Sequence, residues 1–199
     1  VSDTLCYRTH LLKNGMGSEL FWRIRFVGES REETVIRLED HCRGFEYGSS
    51  RPVISFMRGN GSNVAMSNFL RNLTVDVGQG NPGAVGIDFF GNNTAGVRDV
   101  TIRSSDPEKL GRAGLTISRS NASGCVFKRL RIEGFDYGLL LKEPGSDLVF
   151  EDVELEGQRV MTIVLRDPVV CMRRIRSRNH MPALSVPGHN THLVLLDST

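Results

Sequence analysis

The chain reads as all-β, a right-handed parallel β-helix with three short strands per coil, and three observations predict that class. A polar residue flanked by two apolar ones recurs along the chain. Each copy is followed by a second short apolar run, in the early copies opening on glycine. No stretch carries an amphipathic helix over three turns, which argues against crossover helices and a doubly wound sheet.

The first strand of each turn is carried by Leu73-Thr74-Val75, Val100-Thr101-Ile102, Leu130-Arg131-Ile132 and Val153-Glu154-Leu155, with a degraded copy at Ile175-Arg176-Ser177. The second is Gly86-Ile87-Asp88-Phe89, Gly114-Leu115-Thr116-Ile117 and Gly138-Leu139-Leu140-Leu141, then 162–165 and 183–186. A third leads back to the next copy through Cys125-Val126-Phe127, Leu148-Val149-Phe150 and Val170-Cys171-Met172. The spacing of roughly 22–30 residues is one solenoid turn. Period-two alternation turns Leu130 and Ile132 inward and Arg131 and Glu133 outward.

Between second and third strands the turns hold Asn92 and Asn93, then Asn121, Asp147 and Asn190. Asn and Asp tolerate left-handed backbone, so stacked copies are expected to bond along the axis as a ladder. Residues 24–27, 35–38 and 53–56 read as earlier, less regular turns, and Cys42–Arg51, with two glycines and two serines, as an exposed excursion. One domain over 1–199 follows, irregular to about residue 65 and regular from about 66. Neither end shows a cap over its open strand edge, and the chain starts at Val1 without a leader, so a truncated fragment is expected.

The totals restrict function. The chain has 199 residues, with 25 basic against 23 acidic side chains and net charge +2. Arginines scattered among acids, without interleaved aromatics, exclude a nucleic-acid footprint. No run is apolar enough to span a bilayer. Cys6, Cys42, Cys125 and Cys171 form no thiolate metal motif, and Cys125 and Cys171 read as buried thiols. The five histidines are dispersed, and no Ser or Cys stands with a partnered His.

Residues 25–30 (Arg-Phe-Val-Gly-Glu-Ser) with 34–38 (Thr-Val-Ile-Arg-Leu), Asn72 to Asp76, Gly83 to Asp88 and Gly134-Phe135-Asp136-Tyr137-Gly138 resemble the pectate-lyase superfamily. The likeness is to its bacterial branch of rhamnogalacturonase and β-1,3-glucanase type. It covers nearly the whole chain, and its motifs are structural, specific for fold and weak for substrate. The opening Gly-Asp-Gly stretch and the Asn-Thr-Asp, Asp-Asp and Gly-His-Gly pattern of polygalacturonases are missing. The resemblance implies a hydrolase or lyase acting on a pectin, glucan or uronate polymer outside the cytoplasm, in the extracellular space or periplasm. Its alternative is a non-catalytic adhesion or tailspike-like module.

By that likeness, catalytic carboxylates fall late in the loop between first and second strands or early in the second strand, which makes Asp88, Asp106 and Asp136 the candidates. Arg112 is placed to clamp a uronate carboxylate and Tyr137 to stack on a sugar ring. Independently, Asp76, Arg103, Glu133, Glu156 and Arg178 fall in one outward column, so Glu133 and Glu156 are neighbouring carboxylates within substrate reach. A solvated salt-bridge ladder accounts better for the same column, whose charges run acid, base, acid, acid, base. Thr116, Leu140 and Val164 continue the column of Asp88, an exposed apolar row fit for a covering loop, domain or subunit. Calcium would suit a lyase, but no compact acidic cluster calls for it and no cofactor is expected.

Overall fold

The computed structural model describes residues 1–6, 12–14, 17–19, 24–56, 65–120 and 122–199. The strands are β1 (Leu5–Cys6), β2 (Leu12–Asn14), β3 (Gly17–Glu19), β4 (Arg25–Val27), β5 (Val35–Arg37), β6 (Arg51–Ser55), β7 (Phe69–Asp76), β8 (Ala84–Asp88) and β9 (Gly96–Arg103). They continue as β10 (Ala113–Ile117), β11 (Ser123–Glu133), β12 (Tyr137–Leu141), β13 (Asp147–Glu156), β14 (Met161–Leu165), β15 (Val169–Arg178), β16 (Leu184–Ser185) and β17 (His192–Leu196). Among the described residues there is no helix.

From β6 onward, successive strands alternate between two parallel sheets. Seven strands follow the order β1-β6-β8-β10-β12-β14-β16, and eight follow β17-β15-β13-β11-β9-β7-β4, with β5 also on β7. Only β2 and β3 pair antiparallel among the described strands. The repeated motifs lie side by side: Leu73, Val100, Leu130, Val153 and Ile175 are in register, and so are Ile87, Leu115, Leu139, Ile163 and Leu184.

The expected third strand is not separate. Cys125-Val126-Phe127 runs on into Leu130-Arg131-Ile132 as the single strand β11, and β13 and β15 do the same. One residue in each of β7, β9, β11, β13 and β15 bends the chain while its neighbours stay paired. These are Asn72, Asp99, Arg129, Asp152 and Arg174, all left-handed at φ 53 to 56°. Arg129 and Asp152 are skipped in the pairing, whereas Lys128 pairs Glu151 and Leu130 pairs Val153 on either side. Such a residue costs about 1 kcal/mol or more unless its surroundings hold it. Here side chains do so: Arg129 forks onto Asp99 at 2.5 and 2.7 Å, and Arg174 forks onto Asp152 at 2.5 and 3.1 Å.

The main core draws side chains from both sheets. At its centre Phe56, Phe89, Phe127 and Phe150 form a file of rings with centroids 5.0, 5.4 and 4.5 Å apart. Glycines lie within β8, β10 and β12 where side chains of the other sheet leave no room for a Cβ. A Cβ at Gly86 would strike Ile102, one at Gly114 would strike Ile132, and one at Gly138 would meet Leu155.

The turn ladder is partial. Asn92, buried, accepts from the Ser123 N–H at 3.0 Å, and Ser123 Oγ bonds Asp147 Oδ2 at 2.9 Å. Asn93 is exposed, Asn121 lies outside the described residues, and Asn190 instead donates its N–H to Asp167. Of the thiols, Cys125 is buried, its pKa pushed up to about 12 by desolvation, while Cys171 is half-buried.

Candidate functional site

The outer face of the seven-stranded sheet carries a column set by register: Ser55, Asp88, Thr116, Leu140, Val164 and Ser185 on β6, β8, β10, β12, β14 and β16. Above it lies a groove of about 500 Å³, within the ~300–1,000 Å³ typical of ligand sites. Val85, Asp88, Thr116 and Leu140 form its floor. Arg112 and Asp136 stand where β10 and β12 begin, and Ser118, Lys142 and Glu143 where they end. The excursion before β6, with Tyr47 and Ser49, supplies a third wall.

Asp88, Asp136 and Arg112 thus share one cavity, while Tyr137 packs beside its floor. The expected exposed apolar row is corrected: Leu140 and Val164 are 7% and 9% exposed. They form a small cluster with Val85, Ala113, Tyr137 and Met161, separate from the main core.

Asp88 is 8% exposed. Thr116 Oγ1 donates to its Oδ1 at 3.1 Å and Ser118 Oγ to its Oδ2 at 2.8 Å, while Arg119 stands 3.7 Å away. Burial raises its carboxyl above the ordinary range, against the opposing pull of Ser118, Arg119 and Thr116. A carboxyl whose proton is held more tightly than usual is the chemistry of a general acid.

Asp136 is set differently, 3.8 Å from Arg112 and 3.7 Å from Arg159. Strand spacing puts its Cα roughly 16 Å from that of Asp88, two strands across and about four residues along. Retaining and inverting glycosidases place their carboxyls at ~5–5.5 Å and ~6.5–9.5 Å, so these two are no such pair. Tyr137 is not a free platform either. The Arg112 guanidinium lies over its ring, 4.8 Å from the centroid.

The remaining candidates lie elsewhere. Asp106 is 5% exposed and accepts the N–H groups of Gly80 at 2.7 Å and Glu108 at 2.8 Å, fastening two loops together. Glu133 and Glu156 are neighbours as the column requires, but on the eight-stranded sheet, away from the groove. Arg131 bonds Glu133 and lies 3.9 Å from Glu156, a salt-bridge ladder. Asp76, expected outward, is 1% exposed and held by Arg103, because the neighbouring loops cover it.

No family model, curated protein or solved structure matches the chain. Among the described residues no group of three or more His, Cys, Asp or Glu is placed to hold a metal.

Sequence reasoning missed Tyr47, Ser118, Arg119, Lys142 and Glu143. The last four follow directly on the second strands, so the end of that strand, as well as its start, was the signal for site residues. Tyr47 carried a weaker one, an aromatic directly before the Gly48-Ser49-Ser50 run of the excursion.

Proposed function

We propose that the two parallel sheets are the walls of a right-handed parallel β-helix of pectate-lyase type, and that this protein acts on an extended polysaccharide, outside the cytoplasm, bound in the groove over Asp88. The observation that carries this reading is one cavity holding a desolvated, hydroxyl-bonded carboxyl together with cationic Arg112 and Lys142. Asp88 is the proton donor to the departing glycosidic oxygen, while water adds to the anomeric carbon and its released proton, passed through solvent, restores the Asp88 carboxyl. The cations meet the carboxylates of a uronate polymer. Asp136 orients Arg112 from beside it.

A second reading, binding without cleavage, is favoured by the wide gap between Asp88 and Asp136 and by the two arginines already facing Asp136. One experiment separates the two. Pectin, β-glucan and alginate are offered to wild type and to Asp88→Asn, and binding and chain cleavage are both measured. Cleavage by wild type that Asp88→Asn loses, with binding retained, supports the enzyme. Binding without cleavage in both supports the binding module. No binding to any polymer overturns both.

A further inference from the structure

Tyr47 is 72% exposed, more than any other large apolar or aromatic side chain among the described residues. It stands on the wall of the groove and, among the described residues, makes no hydrogen bond, ring contact or cation contact there. The turn beneath it is tightly built. Phe45 is fully buried under the Arg51 guanidinium, 5.0 Å from its centroid. Ser49 Oγ and N–H both bond the Glu46 carbonyl, at 2.8 and 3.1 Å. The Phe45 carbonyl accepts the Gly83 N–H at 2.8 Å, and Gly83 fits so closely that a Cβ there would strike Ser49 and Glu46. Gly44 and Gly48, at φ 93° and 87°, turn the chain into and out of the segment.

A rigid turn that holds an aromatic ring in water gains nothing for folding from that ring. It does lower the entropy lost when the ring captures a ligand. Tyr137 cannot serve, since Arg112 already covers its face. We propose that Tyr47 is the aromatic platform of a glycan subsite, stacking on the apolar face of one pyranose ring while a neighbouring uronate carboxylate meets Arg112 or Lys142. This rests on the polysaccharide reading and adds to it the ring that is gripped and the edge of the groove where it lies.

The test is calorimetric titration of the whole chain with hexasaccharides of galacturonate, alginate and β-1,3-glucan, for wild type, Tyr47→Ala and Tyr47→Phe. Thermal melts confirm that the exposed site leaves folding intact. The expected result is tight binding of a uronate hexamer by wild type. Tyr47→Ala should weaken it about tenfold, and Tyr47→Phe should stay within about twofold, since stacking needs the ring and not the hydroxyl. A wild-type hexamer bound equally well by Tyr47→Ala overturns the platform and leaves the polysaccharide reading standing. Preference for the neutral glucan hexamer overturns the uronate part. Failure of wild type to bind any hexamer overturns both.

Discussion

Arg103 donates from Nε to Asp76 Oδ2 at 2.9 Å across adjacent strands, joining a half-exposed cation to a carboxylate that is 1% exposed. The other oxygen of Asp76 accepts the N–H groups of Gly78 at 2.9 Å and Ser105 at 3.3 Å. The carboxylate therefore ties β9 and both following loops together. Asp76→Ala is expected to lower unfolding free energy by about 3 kcal/mol, because it orphans buried backbone donors as well as a charge. Arg103→Ala should cost less, since water replaces part of what the half-exposed cation supplies. Urea denaturation of both variants checks the order, and Arg103→Ala being the worse of the two would refute it.

Phe127 lies between Phe89 and Phe150 and is fully buried. Its removal leaves a void bounded by two rings that β-pairing on both sides prevents from closing. Phe127→Ala should cost ~3–5 kcal/mol, and Phe127→Leu considerably less. Equal losses in urea titrations would mean the file of rings can repack.

The parallel strands and their register were legible because an inward apolar pair that recurs once per turn stacks on its own copies. Leu130 falls beside Val100 and Val153 with no freedom to slip. The merging of third and first strands was not legible. It depends on single left-handed residues, and nothing in the pattern marks Arg129 or Arg174 as such, unlike Asn72 or Asp99. Asp88 and Asp136 were found as carboxylates near the second strand. Their common cavity depends on loop paths, which composition does not encode. Asp76 was assigned outward by alternation alone, and alternation is blind to loops folding over the strand end.

Asp88 carries the opposite pH signature to the paired acids. Its carboxyl is raised by burial, so what it contributes is fully present below the unfolded carboxyl value and lost as pH rises through the folded one. At neutral pH the buried carboxyl is a liability, since it must either carry a desolvated charge or keep a proton that the unfolded chain releases. Asp88→Asn, which keeps polar atoms for Thr116 and Ser118, is expected to be more stable than wild type by about 1 kcal/mol at pH 7. The difference should shrink toward pH 4. Chemical denaturation across that range measures it, and a wild type more stable than Asp88→Asn at pH 7 contradicts the assignment of Asp88 as a strained functional group.

Asp99 and Asp152 are lowered, chiefly by the guanidinium hydrogen bonds from Arg129 and Arg174. Their stabilisation is present above the unfolded carboxyl value and fades as pH falls through the folded one. The lead of wild type over the Asp99→Asn, Asp152→Asn double variant should therefore vanish on acidification below about pH 4. A lead unchanged between pH 6 and 3 would show that these ion pairs do not contribute to folding.

The left-handed bends allow a sharper test at a single position. Asp152, at φ 56°, supplies a carboxylate to Arg174 and tolerates a backbone region that most side chains avoid. Asp152→Ala loses the ion pair and keeps the Cβ in its unfavourable place. Asp152→Gly also loses the pair but removes the steric cost, at the expense of extra freedom in the unfolded chain. The left-handed term is the larger of the two, so the glycine variant should be the more stable by about 1 kcal/mol. At Val153, inward-facing and fully buried beside it, the order must reverse, with alanine the milder change and both costing more. Only a bend fixed at residue 152 itself predicts opposite glycine–alanine orders at two adjacent positions, and a matching order at both would show that the strand runs through without it.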